Sequence, residues 1–267
     1  MLLTAGCSFV WGDELKGFDD NPPTHWPLTF THLLADKLGI EYSNRGFCGA
    51  CNDKIFREVT DFLHNHPNKD KVTHLVVMWS AWQRKEVVEH MPDAREVKIG
   101  RQDDVTQFSQ LRTNIIFDKS KRIAYEHMFQ NAYDSRTDIM HTISKMKSLE
   151  VICDAAGIQL IQGVFHSRNW SNIMSILTDQ CPDDASKKIK EKSLHIDATP
   201  HYKKWLLNSI GTLKNTSRIG LGKGKDMYTI CKEYDDMKKF GHPGEKTQVV
   251  FADSLHEIFV KSSQKDV

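Results

Sequence analysis

No run in this chain approaches the roughly twenty consecutive apolar residues that cross a bilayer. The apolar start is only a few residues long and has no basic flank, so no signal peptide is expected. Net charge is almost absent. The 36 Lys and Arg against 35 Asp and Glu leave +1, which implies no general attraction to nucleic acid or to an anionic membrane. Six cysteines without a secretory leader read as free thiols rather than a disulfide framework. Cys48-Gly-Ala-Cys51 has no second Cys pair and no matched His pair, and His64-Asn-His66-Pro reads as a loop, so no metal is expected. Internal repeats and low-complexity tracts are missing. No Gly-x-Gly-x-x-Gly turn and no lysine after a glycine-rich turn appear, which sets a nucleotide binder aside, and no cofactor is expected.

What is present is alternation. With 39% hydrophobic and 27% charged residues over 267 positions, the composition suits a soluble globular protein. Residues 28–38 carry apolar side chains at helical spacing and stop at Gly39, a natural helix end. Residues 40–44 read as a short strand, followed by a glycine-rich stretch to Asn52 and a helix with Ile55, Val59 and Phe62 on one face. Residues 73–79 form a continuous apolar run of the kind that parallel sheets bury. A long helical pattern from about Ile123 to Ala156, a strand over 158–165 and a last helix from near Pro243 complete the series. Strands that alternate with helices predict an α/β fold: a three-layer α/β/α sandwich with a parallel, flavodoxin-like central sheet. We read residues 1–267 as a single domain, with insertions at 86–120 and 167–238.

Ligands in such sheets bind at the carboxyl ends of the strands. Ser8, the loop 46–52 and the loop 79–84 each follow a predicted strand, so all three should gather at that edge. The opening Gly6-Cys7-Ser8 has two readings. One is an ordinary turn after a buried strand. The other is a turn that presents Ser8 as a nucleophile at a helix N-terminus, where free N–H groups favour a developing oxyanion. A serine nucleophile needs a base from elsewhere in the chain.

Gly6-Cys7-Ser8-Phe9-Val10-Trp11-Gly12 resembles the first block of the SGNH hydrolases, the GDSL-type esterases and lipases, with Cys7 where Asp usually stands. Asn44-Arg45-Gly46-Phe47-Cys48-Gly49-Ala50-Cys51-Asn52 resembles their second block, and Gly241-His242-Pro243-Gly244 their last. Trp79-Ser80 and Arg84-x-Glu86 are similar to phage-type, divergent members. The resemblance implies Ser8 as nucleophile, His242 as base, and the N–H groups of Ser8 and Gly49 (Gly46 in the alternative) as oxyanion donors. It also implies an acid two or three residues before the histidine. Those places hold Lys239 and Phe240, so Asp236, or Asp235, serves only if the loop folds to bring it back, and a Ser-His pair without its carboxylate is the alternative. The family's oxyanion asparagine falls near Ala81, where Ser80 or Arg84 could substitute. Trp79, Ser80, Arg84 and Asn52 are the expected substrate contacts. Arg84 and Glu86 could instead form a salt bridge at the strand end.

The implied activity is hydrolysis of carboxylic esters through a Ser-His acyl-enzyme, with O-deacetylation of a polysaccharide within its range. The implied partner is an ester substrate such as an acylated carbohydrate. The two departures also suit a catalytically weakened member that serves as a binding or structural component of a phage particle, contacting other virion proteins or itself. The expected location is the cytoplasm of a host cell or the virion.

Overall fold

In the computed structural model the described residues are 1–20, 24–80, 85–89, 107–111, 135–165, 200–213, 219, 225–239 and 241–263. Strand β1 (Leu2–Gly6) is buried along its whole length. It pairs in parallel with β2 (Tyr42–Gly46) on one side and with β3 (His74–Trp79) on the other, and β3 pairs in parallel with β6 (Gln159–Val164). The order is therefore β2-β1-β3-β6. Ile219 bridges Gly163 in parallel and extends the outer side of β6.

This order fixes the layers. The crossover from β1 to β2 runs one way along the sheet, while those from β2 to β3 and from β3 to β6 run the other way. Right-handed crossovers then place their helices on opposite faces. Helix α2 (Phe30–Leu38) lies on one face and packs against the terminal helix α7 (Glu245–Ser263), with Phe30 and Phe251 edge to face at 5.1 Å. Helices α3 (Asn52–Asn65) and α4 (Ser135–Ala155) contact each other on the other face. The core on the two faces of the sheet is largely aliphatic, with Leu2, Leu3, Leu75, Val76, Val77 and Met78 from the strands, Ile55 and Val59 from α3, and Ile139, Ile143 and Met146 from α4. Each such side chain contributes about 1.5–3 kcal/mol on burial. The architecture is the parallel α/β sandwich that the alternation predicts.

Boundaries shift where caps intervene. Ile40 stays out of β2 because its N–H closes the end of α2 on the carbonyl of Ala35. Helix α7 starts at Glu245 rather than near Pro243, because Pro243 forms a bridge with Met237. The described part of 86–120 lies in two strands that pair antiparallel, β4 (Lys85–Glu89) and β5 (Gln107–Leu111). That of 167–238 includes α5 (Pro200–Gly211) and α6 (Met227–Glu233). The expected helical residues 123–134 lie outside the described residues. No described helix is long and apolar enough to cross a membrane.

Candidate active site

The first strand ends at Gly6, and a single helical turn, α1 (Ser8–Trp11), follows at once. Ser8 is thereby held at the carboxyl edge of an interior strand. Gly12 ends the turn in the left-handed conformation, φ +86°, and the N–H groups of Gly12 and Asp13 both donate to the carbonyl of Ser8 at 3.0 Å. The chain continues into a tight loop whose next residue, Glu14, also has a positive φ of 65°. That conformation is uncommon for a side-chain-bearing residue and costs of order 1 kcal/mol or more. The loop is fastened at Leu15, which is buried, and at Lys16, whose N–H donates to Glu245 Oε1 of α7 at 3.2 Å.

The second strand reaches the same edge. Asn44 donates from its side-chain amide to the carbonyl of Val10 at 2.8 Å and accepts from the N–H of Gly46 at 2.8 Å. Gly46 passes so close to α1 that a Cβ there would lie 2.5 Å from the backbone nitrogen of Trp11. Phe47 N–H donates to the carbonyl of Gly6 at 3.0 Å. Gly49 follows at φ +80°.

His242 comes from the far end of the chain, on the turn between α6 and α7. Lys238 N–H donates to the carbonyl of His242 at 2.9 Å, and Gly241 N–H to that of Lys238 at 3.0 Å. The ring packs edge-on against Phe9 at 5.6 Å. Its Nε2 is 2.9 Å from Ser8 Oγ. Its Nδ1 is 2.8 Å from Glu14 Oε2, and its backbone N–H donates to the same oxygen at 3.3 Å. A carboxylate only accepts, so the imidazole proton facing Glu14 is on Nδ1, and Nε2 is left to accept from the serine hydroxyl. Asp13 Oδ2 lies 3.4 Å from the same Nε2 and accepts from the Cys48 thiol at 3.5 Å.

Asp236 does not reach the ring's Nδ1; Glu14 occupies that place. Asp236 Oδ2 accepts from Thr247 N–H at 2.7 Å, and its carbonyl accepts from Gly244 N–H at 2.8 Å. It caps the first turn of α7 and so fixes the loop that carries His242. The other acidic candidate, Asp235, follows α6 at φ 48°. The resemblance directs attention to residues just before the histidine and so passes over Glu14. The available signal was Gly12-Asp13-Glu14, two carboxylates next to the serine's own turn.

Three expected substrate contacts are placed elsewhere. Trp79 is fully buried, and its indole N–H donates to Gln162 Oε1 at 3.0 Å, so it joins β3 to β6 inside the core. Asn52 is buried at the start of α3. Its Oδ1 accepts from Ser80 N–H at 2.7 Å, and its amide donates to the Ser80 carbonyl and to Thr142 Oγ1. Ser80 is likewise buried. These two residues tie α3 and α4 to the end of β3 rather than facing a ligand. Ala81, Trp82 and Arg84 lie outside the described residues.

Two groups near the histidine loop show displaced protonation equilibria. The Lys238 ammonium is held above its ordinary range by the hydrogen bond to Glu245, at 2.5 Å. Burial alone would raise Glu245, but the bonds from Lys238 and from the backbone outweigh it and draw the carboxyl below its ordinary value. Among the described residues no cluster of three or more His, Cys, Asp or Glu is disposed to hold a metal ion. A cleft of about 450 Å³ lined by Met1, Tyr42, Phe62 and His66 lies at the amino end of the strands, away from this chemistry.

No protein-family model matches the chain, and no curated protein matches it. Among solved structures it is similar to a psychrotrophic esterase from Pseudoalteromonas inhibited by monoethylphosphonate. The identity is 12%, 98% of each chain is covered, and the TM-score is 0.48. It is also similar to a protein from Desulfitobacterium hafniense assigned to the lipolytic G-D-S-L family. There the identity is 11%, 96% of this chain and 98% of that one are covered, and the TM-score is 0.44. The chemistry of the site rests on its own geometry.

Proposed function

We propose that this protein is a serine hydrolase of carboxylic esters, with Ser8 as nucleophile, His242 as general base and acid, and Glu14 as the carboxylate that orients the imidazole. The observation that carries the reading is the unbroken chain Ser8 Oγ, His242 Nε2, His242 Nδ1, Glu14 Oε2, with links of 2.9 and 2.8 Å. His242 Nε2 takes the hydroxyl proton as Ser8 Oγ adds to the ester carbonyl. The oxyanion forms beside the backbone N–H groups of Ser8 and Gly49, at the start of α1 and in the β2–α3 loop. The imidazolium gives its proton to the departing alcohol oxygen, leaving an acyl-Ser8. Water, deprotonated by the same nitrogen, then releases the acid and returns the proton to Ser8. Throughout, Glu14 holds the proton on Nδ1 and offsets the ring's transient charge. The substrate range we propose includes O-acetyl groups of polysaccharides.

A catalytically weakened binding or virion protein has no need of a carboxylate against Nδ1, and the presence of Glu14 there favours the enzyme. The test is p-nitrophenyl acetate hydrolysis by wild type, Ser8→Ala and His242→Ala, with folding checked by circular dichroism. Each variant is expected to lose roughly 10⁴–10⁶ in kcat. Folded variants that match wild type would remove Ser8 and His242 from the reaction.

A further inference from the structure

The mechanism above uses one carboxylate beside His242, and the site contains two. We infer that Asp13 reads the charge of the ester's alcohol portion and favours a cationic leaving group over an anionic one. The inference rests on the Ser8–His242 reading. To collect its proton, the leaving oxygen must come within hydrogen-bond reach of His242 Nε2, about 3 Å. Asp13 Oδ2 is 3.4 Å from that same nitrogen. Substituents on the departing alcohol therefore pass next to this carboxylate, whichever acyl group is transferred.

Among the described residues the Asp13 carboxylate has few partners. Its hydrogen-bond donor among them is the Cys48 thiol, a weak one, and His242 Nε2, which carries no proton in the resting tautomer, pairs with it only once the ring is protonated. Its side chain is 21% exposed, so solvent reaches it. Lys238 is paired with Glu245, and Lys54 stands over the ring of Phe47. Glu14 differs in role, because its charge is spent on Nδ1 at the far side of the ring. At an effective dielectric of about 20, unit charges roughly 6 Å apart change a rate constant by on the order of a hundredfold, and partial exposure and salt reduce this to about tenfold.

The experiment compares kcat/KM for three acetate esters of similar size: acetylcholine, its uncharged dimethylbutyl isostere, and sulfoethyl acetate. Wild type, Asp13→Asn and Asp13→Glu are measured at low and at high salt, with Ser8→Ala as control. Wild type should prefer the cationic ester to the isostere by about tenfold, and the isostere to the anionic ester by a similar factor. Asp13→Asn should bring both ratios towards one, Asp13→Glu should keep their direction, and high salt should compress them in wild type without any substitution. Wild type that hydrolyses p-nitrophenyl acetate but shows no charge preference overturns the role of Asp13 alone, as do ratios unchanged in Asp13→Asn. Absent turnover on every ester, or turnover that survives Ser8→Ala, overturns the Ser8–His242 reading and this inference with it.

Discussion

Glu14 Oε2 stands 2.8 Å from Nδ1 of His242, joining residues 228 positions apart in the chain. The same oxygen also accepts the backbone N–H of His242. One carboxylate oxygen thus fixes both the ring and the loop that presents it, and its position depends on a backbone conformation that glycine would adopt more readily.

Glu14→Gln and Asp236→Asn separate the two carboxylates. Glu14→Gln keeps the shape but removes the charge and the tautomer preference, so kcat on p-nitrophenyl acetate should fall by about 10²–10⁴ with KM little changed. Asp236→Asn should leave turnover near wild type and lower the thermal midpoint, since a weakened helix cap costs about 1 kcal/mol. The opposite pattern, turnover lost with Asp236 and kept without the Glu14 charge, would return the acid to Asp236.

Gly46→Ala tests the approach of β2 to α1. The added methyl would lie 2.5 Å from Trp11 N, against backbone that cannot swing away. Overpacking of this kind costs about 1–3 kcal/mol, and it pushes on the turn that carries Ser8. Chemical denaturation should show the loss of stability, and kcat should drop in the same variant. Unchanged values for both would mean that the two segments are less closely packed than their geometry indicates.

Trp79→Phe distinguishes core from substrate contact. The smaller ring leaves a gap in the core and Gln162 Oε1 loses a buried donor; the lost donor alone costs about 1–3 kcal/mol. KM across esters of different size should not move. A substrate-dependent change in KM, with stability intact, would place Trp79 in the binding surface.

The Lys238–Glu245 pair gives a pH dependence of stability. The folded carboxyl titrates below its unfolded value, so its contribution is fully present above the unfolded pKa and disappears as pH falls through the folded one. For a pair this exposed the contribution is within about 1 kcal/mol. Urea melts of wild type and Glu245→Gln should therefore differ at neutral pH and converge in the acid range below the ordinary glutamate pKa. A constant difference down to strongly acid pH would contradict this assignment.

The layers of this fold are legible in the sequence because they depend on period. The apolar run ending at Trp79 and the helical spacing of Ile55, Val59 and Phe62 depend little on the rest of the chain, and both elements form where the pattern puts them. The turns that hold Ser8 and His242 are legible because glycines punctuate them. The placement of Glu14 is not, because it depends on a left-handed backbone at a residue with a side chain, and no local rule predicts that conformation for glutamate. Asn52 and Trp79 are legible as polar or aromatic groups at the correct edge. Their direction, inward, is set by partners such as Ser80 and Gln162 on other strands.

The placement of Glu14 has a consequence for how such a site can vary over time. In the proposed triad, nucleophile and acid lie six positions apart on one turn that is closed by its own backbone bonds, while the base arrives alone on the loop before α7. In an arrangement with acid and base on one loop, any insertion there disturbs both. Here the histidine loop can lengthen, shorten or change its charge, and only the position of a single ring has to be recovered.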